Sequence, residues 1–111
     1  MSVIVFVSLT PLDKGESVGR YVARAVDVID RSGLAYQLTP MGTIIEGPDW
    51  DTVMRVVGDA FQVMAKECRR ISFVIKGDYR SGRTGGLETK VNSIERHLGR
   101  PLHKGGGSTS E

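Results

Sequence analysis

Two short β-rich segments, residues 34–39 and 43–46, stand only Pro40-Met41-Gly42 apart, close enough in sequence to pair as a hairpin through a Pro-x-Gly turn. That spacing fixes how the middle of the chain folds. The second arm, Thr43-Ile44-Ile45-Glu46, ends in a carboxylate where an apolar strand ordinarily carries Val or Ile. Burying an isolated charge is costly, so Glu46 either faces water or meets a cation or a hydrogen-bond donor, and a ligand can be that partner.

The segments on either side complete a pattern. Residues 3–9 form a β-branched and aromatic run closed by Thr10-Pro11, which reads as a central strand. Ser17 is placed to cap a helix in which Val18, Val22, Ala25, Val26 and Ile29 recur at helical spacing, with Ser32-Gly33 as its stop. Asp49 caps a second helix, whose stripe is Trp50, Val53, Val57, Ala60, Phe61, Met64 and Cys68. Residues 71–75 return to strand character, and Lys76-Gly77-Asp78-Tyr79 breaks into the polar loop from Arg80 to Gly86. A third helix follows with Leu87, Val91, Ile94 and Leu98 on one stripe. The order βαββαβ plus a helix predicts an α+β ferredoxin-like sandwich, a four-stranded antiparallel sheet with its two main helices on one face. Residues 1–103 are expected to be one domain, and the Gly- and Ser-rich residues 104–111 a flexible tail.

Charge and cysteine usage narrow the function classes. A net charge of +2 spread over 111 residues offers no polyanion-binding surface, and the single cysteine, Cys68, cannot form an internal disulfide. No Cys/His cluster has metal-ligand spacing, no cofactor motif is present, and His97 and His103 lie far in sequence from the polar residues of interest. Met1-Ser2 passes straight into the first strand without a basic leader, so a cytoplasmic location is expected.

Function is expected on the sheet face that the helices leave bare. If Val3, Val5 and Val7 face the helices with Ile71, Phe73 and Ile75, alternation puts Ile4, Phe6, Ile44 and Val74 on the bare face, an apolar patch that predicts a homo-oligomer. Toward one end of that face Ser8, Thr10, Glu46, Lys76 and Asp78 are expected to converge into a small-molecule pocket roofed by a second subunit. Plainer readings stand beside these: Lys76 and Asp78 as an exposed pair, Trp50 and Cys68 as core, and Tyr36 as a buried hydroxyl seeking a partner. The loop with Gly85-Gly86 before a helix resembles an anion cradle but lacks a nucleotide-binding pattern. Pro11-Leu12-Asp13-Lys14-Gly15-Glu16 carries two acids and no arginine, a poor phosphate cradle for an acyl phosphate hydrolase. Phe6 is the one good aromatic candidate on the bare face, which disfavours RNA binding.

Across residues 3–98 the chain resembles the small thiamine-binding protein family with a ferredoxin-like fold. The residues that carry the resemblance are Thr10-Pro11, Ser17, Tyr21-Val22-Ala23, Ser32-Gly33-Leu34-Ala35-Tyr36, the segment from Leu38 to Gly47, Trp50-Asp51 and Lys90-Val91. The resemblance implies a cytoplasmic homotetramer, a dimer of dimers whose sheets pack face to face, that binds thiamine or its hydroxymethylpyrimidine part without catalysis. Thr10, Tyr36, Met41, Thr43, Ile44 and Glu46 can supply the hydroxyls, carboxylate and apolar surface such a ligand needs, with Ser8, Lys76 and Asp78 nearby. The alternative is a structural or regulatory homo-oligomer whose polar cluster satisfies groups buried between subunits.

Overall fold

The computed structural model describes residues 2–81 and 86–102, the backbone alone at 86–90. The elements run β1 (Ser2–Pro11), α1 (Gly19–Arg31), β2 (Ala35–Thr39), β3 (Gly42–Gly47), α2 (Trp50–Ala65), β4 (Ile71–Arg80) and α3 (Gly86–Leu98). All four strands pair antiparallel in the order β2-β3-β1-β4. This is the expected α+β ferredoxin-like sandwich with a C-terminal helix.

Alternation along β1 sorts the sheet into its two faces. Val3, Val5 and Val7 are buried with Ile45 of β3, under Tyr21, Ala25 and Ile29 of α1 and Val53, Val57, Ala60 and Met64 of α2. Each Val, Ile or Met among them contributes roughly 1.5–3 kcal/mol by leaving water. Gly47 lets α2 come close, because a Cβ there would lie 2.5 Å from Cγ2 of Val53. The opposite face keeps Ile4, Phe6 and Ile44 half-buried and Val74 exposed, as the alternation predicts.

Asp49 caps α2 as expected, its carboxylate accepting from the Thr52 N–H at 2.8 Å, and Gly33 ends α1 at φ 81°. Ser17 does not cap α1: the cap position is Val18, with no side-chain hydrogen bond. Trp50 is 61% exposed and not core, because it opens α2 outside the inward stripe that Val53, Val56 and Val57 begin. Cys68 is buried. β4 does not break at Lys76-Gly77-Asp78-Tyr79; these residues pair with Phe6, Val5, Ile4 and Val3 of β1. Pairing against a strand already anchored in the core outweighs the weak strand preference of Gly and Asp. Most of the Gly-rich loop, the Leu87 side chain, His103 and the tail lie outside the described residues.

Candidate functional site

The site grows from a mismatch in strand length. β1 pairs with β4 from Ser2↔Arg80 to Pro11↔Ile71, whereas its pairing with β3 stops at Val7↔Thr43. The hairpin tip closes on itself instead. Thr39 Oγ1 donates to the Gly42 carbonyl at 2.7 Å and accepts from the N–H groups of Met41 and Gly42, each at 3.2 Å. Gly42 is needed for room, since a Cβ there would lie 2.6 Å from Cζ of Phe6 and 2.7 Å from the Val7 carbonyl oxygen.

Past Val7, β1 therefore has β4 on one side and a cleft of about 230 Å³ on the other. Val22 and Val26 of α1 form one wall, Pro40 and Met41 the rim, and Ser8, Leu9 and Thr10 the β1 edge. Thr43, buried at its base, joins Ser8, Thr10 and Thr39 as the hydroxyl residues of a mostly apolar lining. Four residues of the expected set, Ser8, Thr10, Met41 and Thr43, thus border one concavity. It opens on the α1 side of the sheet, not on the bare face.

The others lie elsewhere. On the bare face Ala35, Glu46, Ile4 and Asp78 make one row, and Gln37, Ile44, Phe6 and Lys76 the next. Glu46 and Asp78 flank Ile4 two strand spacings apart, about 10 Å. Ser8 and Thr10 come level with Val74 and Ser72, and Thr10 is about 20 Å along the strand from Ile4. The expected convergence of Ser8, Thr10, Glu46, Lys76 and Asp78 is thereby corrected: alternation assigned the face, but not the position along it.

Tyr36 projects to the helix side of β2, where its hydroxyl donates to Oδ1 of Asp30 at 2.8 Å. That hydrogen bond holds the tyrosine pKa above its ordinary value. Tyr36, Asp27 and Asp30 line a shallower hollow that shares Val22, Val26 and Leu38 with the cleft, so the two adjoin. A third concavity, between α2 and β4, is apolar throughout, lined by Met54, Val57, Phe61, Phe73 and Ile75 among others. Among the described residues no group of three or more His, Cys, Asp or Glu is placed to hold a metal ion.

Sequence reasoning missed the α1 wall and the main-chain edge of β1. The available signal was Pro11: a residue without an N–H, ending an apolar strand, marks a stretch with no ladder partner on one side.

Comparison with known proteins gives the family and the fold. The family model described as thiamine-binding protein matches residues 5–95. The UPF0045 protein Mb1933 of Mycobacterium bovis is 46% identical over 91% of this chain and 99% of its own length. The crystal structure of the hypothetical protein MJ1052 of Methanocaldococcus jannaschii superposes with a TM-score of 0.77 at 31% identity, covering 84% of this chain and 95% of that one. A Thermotoga maritima protein whose description refers to thiamine biosynthesis/salvage shares the fold, with a TM-score of 0.74 at 22% identity over 85% of this chain and 99% of that one. The chain, with its hairpin tip folded back on Thr39 and a cleft beside it, belongs to the thiamine-binding protein family.

Proposed function

We propose that this protein binds thiamine or its hydroxymethylpyrimidine moiety, without catalysing a reaction, in the cleft between α1, the hairpin tip and the end of β1. The observation that carries the reading is the cleft itself, which lies beside the Thr39-to-Thr43 segment in a chain of this family. Its volume of about 230 Å³ falls below the roughly 300–1,000 Å³ of pockets that enclose drug-sized ligands. One heteroaromatic ring is the better match. The aminopyrimidine takes the cleft, between the valines of α1 and the rim of Pro40 and Met41. In intact thiamine the cationic thiazolium extends into the adjoining hollow, where Tyr36 and the carboxylate of Asp30 favour positive charge, Asp27 being paired with Arg31 at 2.9 Å.

The remaining expected residues, Ile44, Glu46, Lys76 and Asp78, belong on this reading to association. Ile4, Phe6, Ile44 and Val74 form the centre of a bare face whose pairing with a second copy begins the homotetramer. The protein acts in the cytoplasm as a carrier or store of the vitamin or its precursor.

Calorimetric titration with thiamine and with hydroxymethylpyrimidine tests the proposal. Saturable binding of both, one per chain, is the expected result. Absence of heat with either, in a protein whose solution mass is that of an oligomer, leaves the structural reading, which the long exposed β4 favours.

A further inference from the structure

We propose that the ring in the cleft is recognised by the main chain of Leu9, whose N–H and C=O form a paired donor and acceptor for the aminopyrimidine edge. The inference rests on the pyrimidine reading of that cleft and adds which atoms select the ligand. In an antiparallel ladder the N–H and C=O of one residue point to the same neighbour, and successive residues alternate between neighbours. The alternation is fixed here at several points. The Val7 carbonyl oxygen is 2.7 Å from a Cβ built on Gly42, on the β3 side, while the Ile4 carbonyl oxygen is 3.5 Å from one built on Gly77 of β4. The Leu12 N–H, further along, donates to the Arg70 carbonyl at 2.8 Å beside β4. Odd-numbered residues of β1 therefore direct their main-chain groups toward β3, and even-numbered ones toward β4.

Leu9 is the first odd residue beyond the last β3 pair, Val7↔Thr43. Extending the register would set it opposite Met41, but the Met41 N–H is given to Thr39 Oγ1 at 3.2 Å. The next odd residue, Pro11, has no N–H to offer. Among residues 8–11, Leu9 alone presents both a donor and an acceptor to the cleft it lines. Main-chain polar groups in an apolar setting demand partners. A 4-aminopyrimidine supplies them at matching spacing: the amine donates to the Leu9 carbonyl, and the neighbouring ring nitrogen accepts from the Leu9 N–H. The 4-oxo counterpart reverses the order of donor and acceptor. It can meet Leu9 only by turning over, which exchanges its methyl and hydroxymethyl groups within a cleft sized for one ring.

The test is titration of the full chain with hydroxymethylpyrimidine and with its 4-oxo counterpart, by calorimetry and by amide NMR. The amino compound is expected to bind tighter by about tenfold or more, because the mismatched ring leaves desolvated groups unpaired. At saturation the Leu9 amide proton should shift and exchange more slowly. Leu9→Pro, which removes the N–H without breaking a β4 ladder bond, should weaken binding by about tenfold. If Leu9→Pro does not fold, the analogue pair and the Leu9 amide still decide. Equal affinity for the amino and oxo compounds, or an unmoved Leu9 amide at saturation, overturns the main-chain assignment and leaves the cleft reading standing. Binding of neither compound overturns both.

Discussion

β3 and β4 pair with the same central strand and meet opposite fates. In β3 every second residue is buried, with Ile45 fully inaccessible, whereas from Ser72 to Arg80 every residue of β4 is exposed. The helices cause the difference, because α1 and α2 pack over β1 and α2 also reaches β3, while β4 at the sheet edge meets α2 only across an open groove, through the edge-on contact of Phe61 with Phe73. The β3 side therefore builds the core and, where its hairpin stops short, the cleft. The β4 side offers a long edge bearing Phe73, Val74, Ile75 and Tyr79, the kind of edge that soluble proteins ordinarily cover or charge. The cleft and the exposed edge thus lie on opposite sides of β1.

That division can be broken at several points. Ile45→Ala should destabilise the fold by about 2–5 kcal/mol, while Ile75→Ala on β4 should cost the isolated chain well under half as much. Denaturant unfolding of both variants measures this, and equal losses would erase the contrast between the strands. Val74→Asp should weaken association by more than tenfold at constant secondary structure, since it sets a charge in an apolar interface, read by solution mass across a dilution series. Val26→Phe, filling the cleft from a half-buried position on α1, should weaken hydroxymethylpyrimidine binding by about tenfold and leave association unchanged.

Glu46→Gln separates the two sides more finely. The carboxylate stands on the bare face, away from the cleft, so pyrimidine affinity should stay within about twofold while the oligomer loosens. Loss of ligand binding without loss of assembly would return Glu46 to the site. The smallest effect belongs to Asp49→Ala at the start of α2, a lowering of the melting temperature by a few degrees at neutral pH. The Thr52 N–H holds the Asp49 carboxyl below its ordinary range, and Asp13 is lowered likewise by the Arg69 N–H. A depressed carboxylate stabilises the fold above its unfolded pKa near 4, and the gain is lost as pH falls through the lower folded value. The gap between wild type and Asp49→Ala should therefore close on acidification, which thermal melts from pH 7 to pH 2 would show.

Periodicity carried much of this architecture in the sequence. Alternation in β1 and the stripe of α2 were readable because Val3, Val5 and Val7, and Val53, Val57, Ala60 and Met64, answer to local geometry alone. Trp50 misled because a stripe position in the first turn need not reach the core. The extent of β4 was hidden because Lys76, Gly77 and Asp78 join the sheet only through a partner strand distant in sequence. The cleft was half legible. Thr10, Met41 and Thr43 stood out by type and by resemblance, but the wall formed by α1 and the unpaired edge at Leu9 depend on where β3 ends, and that is decided by hydrogen bonds of a single threonine side chain.

Amide mapping during titration of the ¹⁵N-labelled protein with hydroxymethylpyrimidine tests the central claim most directly. The account predicts saturable shifts gathered at Leu9, Thr10, Thr39, Met41, Gly42 and Thr43, with Val22 and Val26 of α1 joining them. Shifts confined to Ile44, Glu46, Lys76 and Asp78, or no shifts at millimolar ligand, would contradict it.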